Sequence, residues 1–98
     1  MLTIISHTIV EPSQIEEVKK TMLEQVKKTL QADGCHRCEL HQDNNINNKF
    51  IFIESWRTMG SWRKHMRSDV IKQFNREIDG RIIDFDVNLL NELAMNSD

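Results

Sequence analysis

The chain has 98 residues, 39% of them hydrophobic and 29% charged, which predicts one soluble globular domain over residues 1–98. The net charge of −2 lacks the basic excess of a nucleic-acid-binding surface. No apolar run approaches the roughly 20 residues that span a bilayer, and no signal peptide is expected. Two cysteines do not make a disulfide framework, so we expect a cytoplasmic protein without membrane or nucleic-acid partners.

The first third of the chain predicts a strand followed by a helix. Residues Thr3 to Val10 are rich in β-branched side chains, and Pro12 ends the strand because it cannot donate to a ladder. Ser13 and Glu16 have the spacing of a capping box. Gly34 suits the left-handed conformation after the helix. The predicted apolar stripe comprises Ile15, Val18, Met22, Val26 and Leu30.

A β-hairpin is predicted next. Its strands are Cys35 to Gln42 and Phe50 to Trp56, and the Asn-rich segment 43–48 between them has the composition of a turn. Side chains two residues apart share a face of a strand. One face of the second hairpin strand therefore carries Phe50, Phe52 and Trp56, and the other carries Ile51 and Ile53.

The last third predicts two short helices and a strand. A helix from about Met59 to Arg67 precedes a second one that begins at the cap residue Ser68 and ends before Gly80. The strand is half-buried, with apolar residues Ile83, Phe85, Val87 and Leu89 alternating with polar ones. Residues 91–98 are expected to form a flexible tail or to dock on a partner.

The resulting order, β-α-β-β-α-β, is typical of an α+β, ferredoxin-like fold, in which an antiparallel sheet carries helices on one face. Such a sheet leaves its other face uncovered. Because Ile51 and Ile53 also need burial, we expect a homodimer that stacks the two uncovered faces.

Two residues, one on the third strand and one on the helix after it, are candidates for chemistry. Glu54 shares a face with aromatic residues, where poor solvation raises a carboxyl pKa and favours acid–base work. The alternative is a salt bridge with Arg57 or Arg63. His65 lies three residues after Trp62 and is suited to proton transfer near neutral pH. Alternatively, His65 has a structural role, in which it donates a hydrogen bond to a backbone carbonyl and fixes the angle between helix and sheet.

The remaining candidates have a structural interpretation beside the functional one. Cys35, Cys38 and His41 invite a metal or redox interpretation, but no second ligand pair follows, and residues three apart on a strand point to opposite faces. We therefore expect Cys35 to pack as a small apolar side chain. His7 lies mid-strand and reaches the same pocket as His65 or, alternatively, is a core histidine.

The segment Phe50–Trp56, with Glu54 and Trp56 in it and His65 nine residues later, resembles the antibiotic biosynthesis monooxygenase family. The resemblance extends from Leu2 to about Leu90. It implies a dimeric α+β barrel with one pocket per subunit between sheet and helices. Characterised members oxidise electron-rich aromatics such as quinols or anthrones with dioxygen, without metal, flavin or haem.

The resemblance implies site residues as well. His65 corresponds to a base or donor, Trp56 to a pocket wall and Glu54 to an orienting partner, while the substrate-binding residues are expected to be Trp62, His7, Met66 and Phe74. The chain contains no tyrosine, a residue that some members use on the substrate. This favours the alternative of a non-catalytic dimeric ligand-binding module.

A haem-degrading branch of the same superfamily is a further alternative. It uses an Asn on the first strand, a Trp on the short helix and a His on the next helix. His7, His65 and Asn75 stand at or near those positions here, so the triad is not reproduced.

Overall fold

The computed structural model describes residues 1–94, which form a four-stranded antiparallel sheet and three helices. In chain order the elements are β1 (Leu2–Val10), α1 (Ile15–Leu30), β2 (Cys35–Gln42), β3 (Lys49–Trp56), α2 (Met59–Met66), α3 (Asp69–Ile78) and β4 (Ile82–Asn91). The strand order is β2-β3-β1-β4. This confirms the predicted ferredoxin-like α+β fold with its helical segment divided in two.

The core lies between the sheet and the helices. Strand β1 is buried at every second residue, and β3 contributes the fully buried Phe50 and Trp56. Helix α1 packs Val18 and Met22, both fully buried, against this side of the sheet. The ring of Phe74 on α3 meets Phe52 edge-on, with centroids 6.3 Å apart. Alternation in the strands and the 3.6-residue period of the helix thus place one continuous apolar layer between them.

Helix α1 differs from its prediction at both ends. Residues Pro12–Gln14 form a 3₁₀ turn, the helix begins at Ile15, and no side chain caps it, so the predicted capping box is wrong. A backbone hydrogen bond closes this turn, from Gln14 N to Glu11 O at 2.8 Å. At the other end Leu30 is 48% exposed, while Gln25 and Thr29 take the buried positions.

The β2–β3 hairpin contains an irregularity that the sequence did not indicate. The pairing register shifts between Cys35 and Arg37, so that Cys35 lies opposite Trp56 and Cys38 opposite Glu54. Trp56 and Glu54 share a face of β3. The expectation that the two cysteines point to opposite faces is therefore wrong. The β-bulge inserts one extra residue between them, so both side chains point to the same face of β2.

The caps of the two short helices follow the sequence rules. Thr58 Oγ1 accepts from Ser61 N at the start of α2, and the predicted cap Ser68 accepts from Ile71 N at the start of α3. Gly34 and Gly80 both have positive φ, as expected after helices. None of the helices in residues 1–94 combines the length and apolar composition that a membrane crossing needs.

Strand β4 forms as predicted, but its apolar side chains are not half-buried. It is an edge strand that pairs only with β1, and its apolar residues remain exposed: Ile83 by 53%, Phe85 by 60%, Val87 by 39% and Leu89 by 40%. The cause is the sheet order, which puts β4 beyond the area that the helices cover. Of the predicted tail, Asn91 belongs to β4 and Glu92 N donates to Met1 O; residues 95–98 lie outside the described part of the chain.

Candidate functional site

A cavity of about 510 Å³ lies between the sheet and the helices, within the size range of small-molecule sites. Its apolar roof comes from α2 and α3, with Trp62, Met66, Ile71 and Phe74. The floor is formed by β1 and β3, and the exposed residues Phe85 and Val87 of β4 border the cavity. Because Phe85 and Val87 are exposed, we expect a ligand to enter from this side.

Glu54 brings a carboxyl group into the cavity wall. Trp56, two residues along β3, donates a hydrogen bond from Nε1 to Glu54 Oε1 at 2.8 Å. Burial raises the pKa of the Glu54 carboxyl above its ordinary value, and the bond from Trp56 lowers it in part. Within residues 1–94 Glu54 forms no salt bridge with Arg57 or Arg63, so that structural alternative is wrong.

His65 lines the cavity from α2 and is 6% exposed. Its ring lies 4.9 Å from the Trp56 indole, between centroids, with 36° between the planes. Nε2 is buried and has no hydrogen-bond partner among the described residues. Burial lowers the pKa of the His65 imidazole, which favours the neutral ring, and a neutral imidazole has one nitrogen able to accept a proton.

The structure brings together most of the predicted site residues. Glu54, His65, Trp62, Met66 and Phe74 all line the cavity. Trp56 does not line it; its side chain is fully buried behind Glu54 and His65 and contacts both. The predicted pocket wall is therefore a support for the two polar side chains.

His7 is not brought to the cavity. Its neighbours on β1, Ser6 and Thr8, point to the cavity side, and His7 points to the uncovered face of the sheet with Ile51 opposite it on β3. Of the four histidines only His65 lines the cavity, and Asn75 lines it from α3.

Four polar residues of the cavity wall were missed by the sequence analysis. Ser6 and Thr8 come from β1, and Gln25 and Thr29 from α1; they are between 2% and 7% exposed. Gln25 Nε2 donates to Thr29 Oγ1 at 3.2 Å. The available signal was positional: Gln25 and Thr29 continue the spacing of Val18 and Met22, and Ser6 and Thr8 share the buried face of β1.

The cysteines do not form a metal centre with their neighbours. Among residues 1–94 no three side chains of the ligand-forming types His, Cys, Asp and Glu are grouped closely enough to hold an ion. Burial, reinforced by the nearby Glu54 carboxylate, raises the pKa of the Cys38 thiol to about 12. Cys35 packs with the core, as expected for a small apolar side chain.

Comparison with known proteins connects this site with one family. A sequence model described as antibiotic biosynthesis monooxygenase matches residues 1–77, which include β1, the hairpin, α2 and nearly all of α3. Every cavity residue discussed above except Phe85 and Val87 falls within that range. A search of curated proteins found no match.

Solved structures share the whole fold. An antibiotic biosynthesis monooxygenase superposes with a TM-score of 0.89 at 25% identity, covering 96% of this chain and 100% of the other. A Pseudomonas aeruginosa protein gives 0.89 at 25% identity, with 95% and 94% covered. A conserved protein from Methanosarcina mazei gives 0.86 at 20% identity, with 93% and 91% covered.

Proposed function

Because the chain belongs to the antibiotic biosynthesis monooxygenase family, we propose that it oxidises a small electron-rich aromatic compound, such as a quinol or an anthrone, directly with dioxygen and without a cofactor. One observation carries this proposal. Glu54 and His65 line the same cavity, contact the same indole and have pKa values shifted towards each other, the carboxyl upwards and the imidazole downwards. Ionisable groups in a cavity whose pKa values are shifted by burial are candidates for acid–base work.

His65 is the proposed base. Its neutral imidazole has a buried Nε2 without a partner, and a phenolic or enolic proton of the substrate satisfies that nitrogen. Removing this proton produces an electron-rich anion, stabilised in the ring system, that reduces dioxygen. The apolar roof around Trp62 and Phe74 keeps water from the anion.

The proposed reaction consumes only the substrate and O₂. In an anthrone-like substrate the carbanion gives electrons to O₂, a C–O bond forms, and protonation yields a hydroperoxide. Loss of water from the hydroperoxide leaves a carbonyl group. One oxygen atom thus enters the product and the other leaves as water, while the reacting carbon loses two hydrogens.

Glu54 is the proposed proton donor to the departing oxygen. Its raised pKa keeps a larger fraction of the carboxyl protonated than in water. Trp56 does not touch the cavity and is a positioning residue: it fixes the Glu54 carboxyl by a hydrogen bond and the His65 ring by contact.

The test is oxygen uptake by purified, metal-stripped protein with a panel of quinols and anthrones, corrected for autoxidation. We expect uptake well above the blank and a loss of about 10²- to 10⁴-fold in His65→Ala, the usual contribution of a general base. His36→Ala, at an exposed position on β2, is the matched control and keeps full activity.

Two results contradict parts of the proposal. Uptake equal to the blank across the panel, with ligand binding retained, indicates a non-catalytic binding module. Uptake that survives in His65→Ala, when circular dichroism shows the variant folded, removes His65 as the base.

We also propose a homodimer through the uncovered face of the sheet. The half-buried side chains of Ile5, Ile51 and Ile53 occupy this face, and the helices pack on the other. Light scattering at micromolar concentration is expected to give twice the chain mass of 11.6 kDa. Ile53→Lys lowers this mass towards that of the monomer, and Ile46→Lys in the exposed turn does not. A monomeric wild type contradicts the dimer.

The cytoplasm is the proposed location. Cys35 and Cys38 are free thiols although they share a face of β2, and free thiols persist where the glutathione and thioredoxin systems keep them reduced. Cell fractionation checks this location directly.

A further inference from the structure

The inward face of β1 is unusual for a central strand. Its five buried positions are Leu2, Ile4, Ser6, Thr8 and Val10, so two hydroxyl groups interrupt an otherwise apolar row. Ser6 is 7% exposed and Thr8 is 3% exposed, and both border the cavity. Hydroxyl groups in a cavity wall are available to a ligand, and a ligand that covers them without offering a hydrogen bond leaves them unpaired.

Helix α1 adds polar groups to the same cavity. Gln25 and Thr29, 5% and 2% exposed, take the core-facing positions after Val18 and Met22. Among these four polar side chains, the one hydrogen bond that the described structure contains runs from Gln25 Nε2 to Thr29 Oγ1. The bond leaves Gln25 Oε1 as an acceptor at the cavity wall.

These groups come from two successive elements, β1 and α1, and all four line the cavity. Leucine or valine at all four positions fills the same core without any desolvation penalty. We propose that Ser6, Thr8 and Gln25 bind a second oxygen substituent of the substrate, at the edge opposite the group that His65 deprotonates. The proposal rests on the proposed function for the identity of that reacting edge.

The register of the sheet fixes the spacing between the two polar regions. Ile4 lies opposite Glu54 on β3. Ser6 is two residues and Thr8 four residues further along β1, which corresponds to about 7 Å and about 14 Å at 3.4 Å per residue. A flat aromatic ligand of one to three fused rings has this length.

The expected substrate therefore carries oxygen on two opposite edges. Compounds with oxygen at one edge alone leave Ser6 and Thr8 unpaired, and sites with unpaired buried polar groups reject such ligands. Within the proposed range of substrates, quinols oxygenated at both edges are preferred to anthrones that carry one oxygen.

The test uses two probes that differ by one hydroxyl group, 2,6-dihydroxynaphthalene and 2-naphthol. Binding is measured by calorimetry under nitrogen, so that neither probe is oxidised. We expect the wild type to bind the dihydroxy probe about tenfold more tightly, as one or two neutral hydrogen bonds provide. In Thr8→Val and in Ser6→Ala this preference falls towards one, and the affinity for 2-naphthol is retained.

Thr3→Val is the matched control, because Thr3 lies on the same strand and points to the uncovered face. It keeps the tenfold preference. The melting temperature separates a binding role from a structural one. Thr8→Val is expected to leave it unchanged or raise it, since the Thr8 hydroxyl has no hydrogen-bond partner within residues 1–94, whereas a structural hydrogen bond predicts a decrease.

The possible failures are distinguishable. Equal affinity of the wild type for both probes, binding of neither probe, or a preference that survives in both variants overturns the role of the β1 hydroxyls, whatever the oxygen uptake. Oxygen uptake equal to the blank, together with the expected probe preference, overturns the monooxygenase and leaves the second binding region intact.

Discussion

Trp56 Nε1 donates a hydrogen bond to Glu54 Oε1 at 2.8 Å, between residues two apart on β3. The same indole lies against His65, so one buried side chain contacts both polar groups of the proposed site. A tryptophan with a fully buried ring can donate but cannot accept, and its donation therefore favours the charged form of Glu54.

Replacing Trp56 by phenylalanine removes the hydrogen bond and keeps an aromatic ring beside His65. We expect a loss of about 2–3 kcal/mol in the free energy of unfolding, from the hydrogen bond to a charged group and the smaller ring. We also expect the pKa of the Glu54 carboxyl to rise further, because the bond that lowers it is gone. Denaturant unfolding and carboxyl-carbon NMR titration measure the two effects.

Trp62→Phe is the control for this substitution. Trp62 is half-buried at the cavity roof, and the smaller ring there leaves the Glu54 pKa unchanged. An unchanged carboxyl pKa in Trp56→Phe contradicts the assigned contact.

Glu54 makes stability depend on pH in a definite direction. Its pKa in the folded protein is above the ordinary value of 4.5, so the folded state binds the proton more tightly than the unfolded state. Stability from this group is therefore present below pH 4.5 and is lost as pH rises through the raised pKa. The free energy of unfolding of Glu54→Gln minus that of the wild type should increase over this window and then remain constant.

Urea unfolding at a series of pH values from 4 to 8 measures this difference. Glu17→Gln, at an exposed position on α1, controls for the loss of one negative charge. A difference that decreases with rising pH shows that Glu54 is stabilised as the carboxylate, against the burial argument.

Local rules were sufficient for most of the fold. The Ser68 cap, the left-handed Gly34, the end of α3 before Gly80 and the alternation in β3 depend on neighbours a few residues away, and each is confirmed. Glu54 and His65, which both line the cavity, could be chosen as candidates because a carboxylate among aromatics and a histidine three residues from a tryptophan are visible in the sequence itself.

Features that depend on long-range pairing could not be predicted. The bulge after Cys35 and the exposure of β4 follow from which strands pair and where the helices end. The burial of Gln25 and Thr29 was missed for a different reason: a polar residue in an amphipathic helix is normally assigned to solvent. It becomes informative only when its position on the buried stripe is given more weight than its polarity.

The reactivity of the Cys35 and Cys38 thiols reports how deeply these two side chains are buried. Burial raises the pKa of Cys35 and raises that of Cys38 to about 12, so little thiolate is present at pH 8, and the thiolate is the nucleophile. We expect an aromatic disulfide reagent to react slowly with the native protein and to label both cysteines after unfolding in urea. Rapid reaction of Cys38 in the native state contradicts its burial against Glu54 and Thr29.

Gly34, just before β2, packs against α2, the helix that carries His65. Its φ is +85°, and a Cβ atom built there lies 2.5 Å from Cβ of Ser61 on α2. Its carbonyl also accepts from Arg57 N at 2.8 Å, just before that helix. Any side chain at this position therefore pushes α2 away from β2, in addition to the unfavourable backbone conformation, which itself costs about 1–2 kcal/mol.

Gly34→Ala is accordingly expected to lower the free energy of unfolding by about 3 kcal/mol or more, as the sum of the backbone cost and the steric overlap. Gly80→Ala is the matched control, because its φ is +78° and nothing lies within 4 Å of an added Cβ, so it loses the backbone part alone. Urea unfolding of both variants gives the comparison. Equal losses in the two variants mean that α2 moves freely against β2, and the position of His65 then does not depend on Gly34.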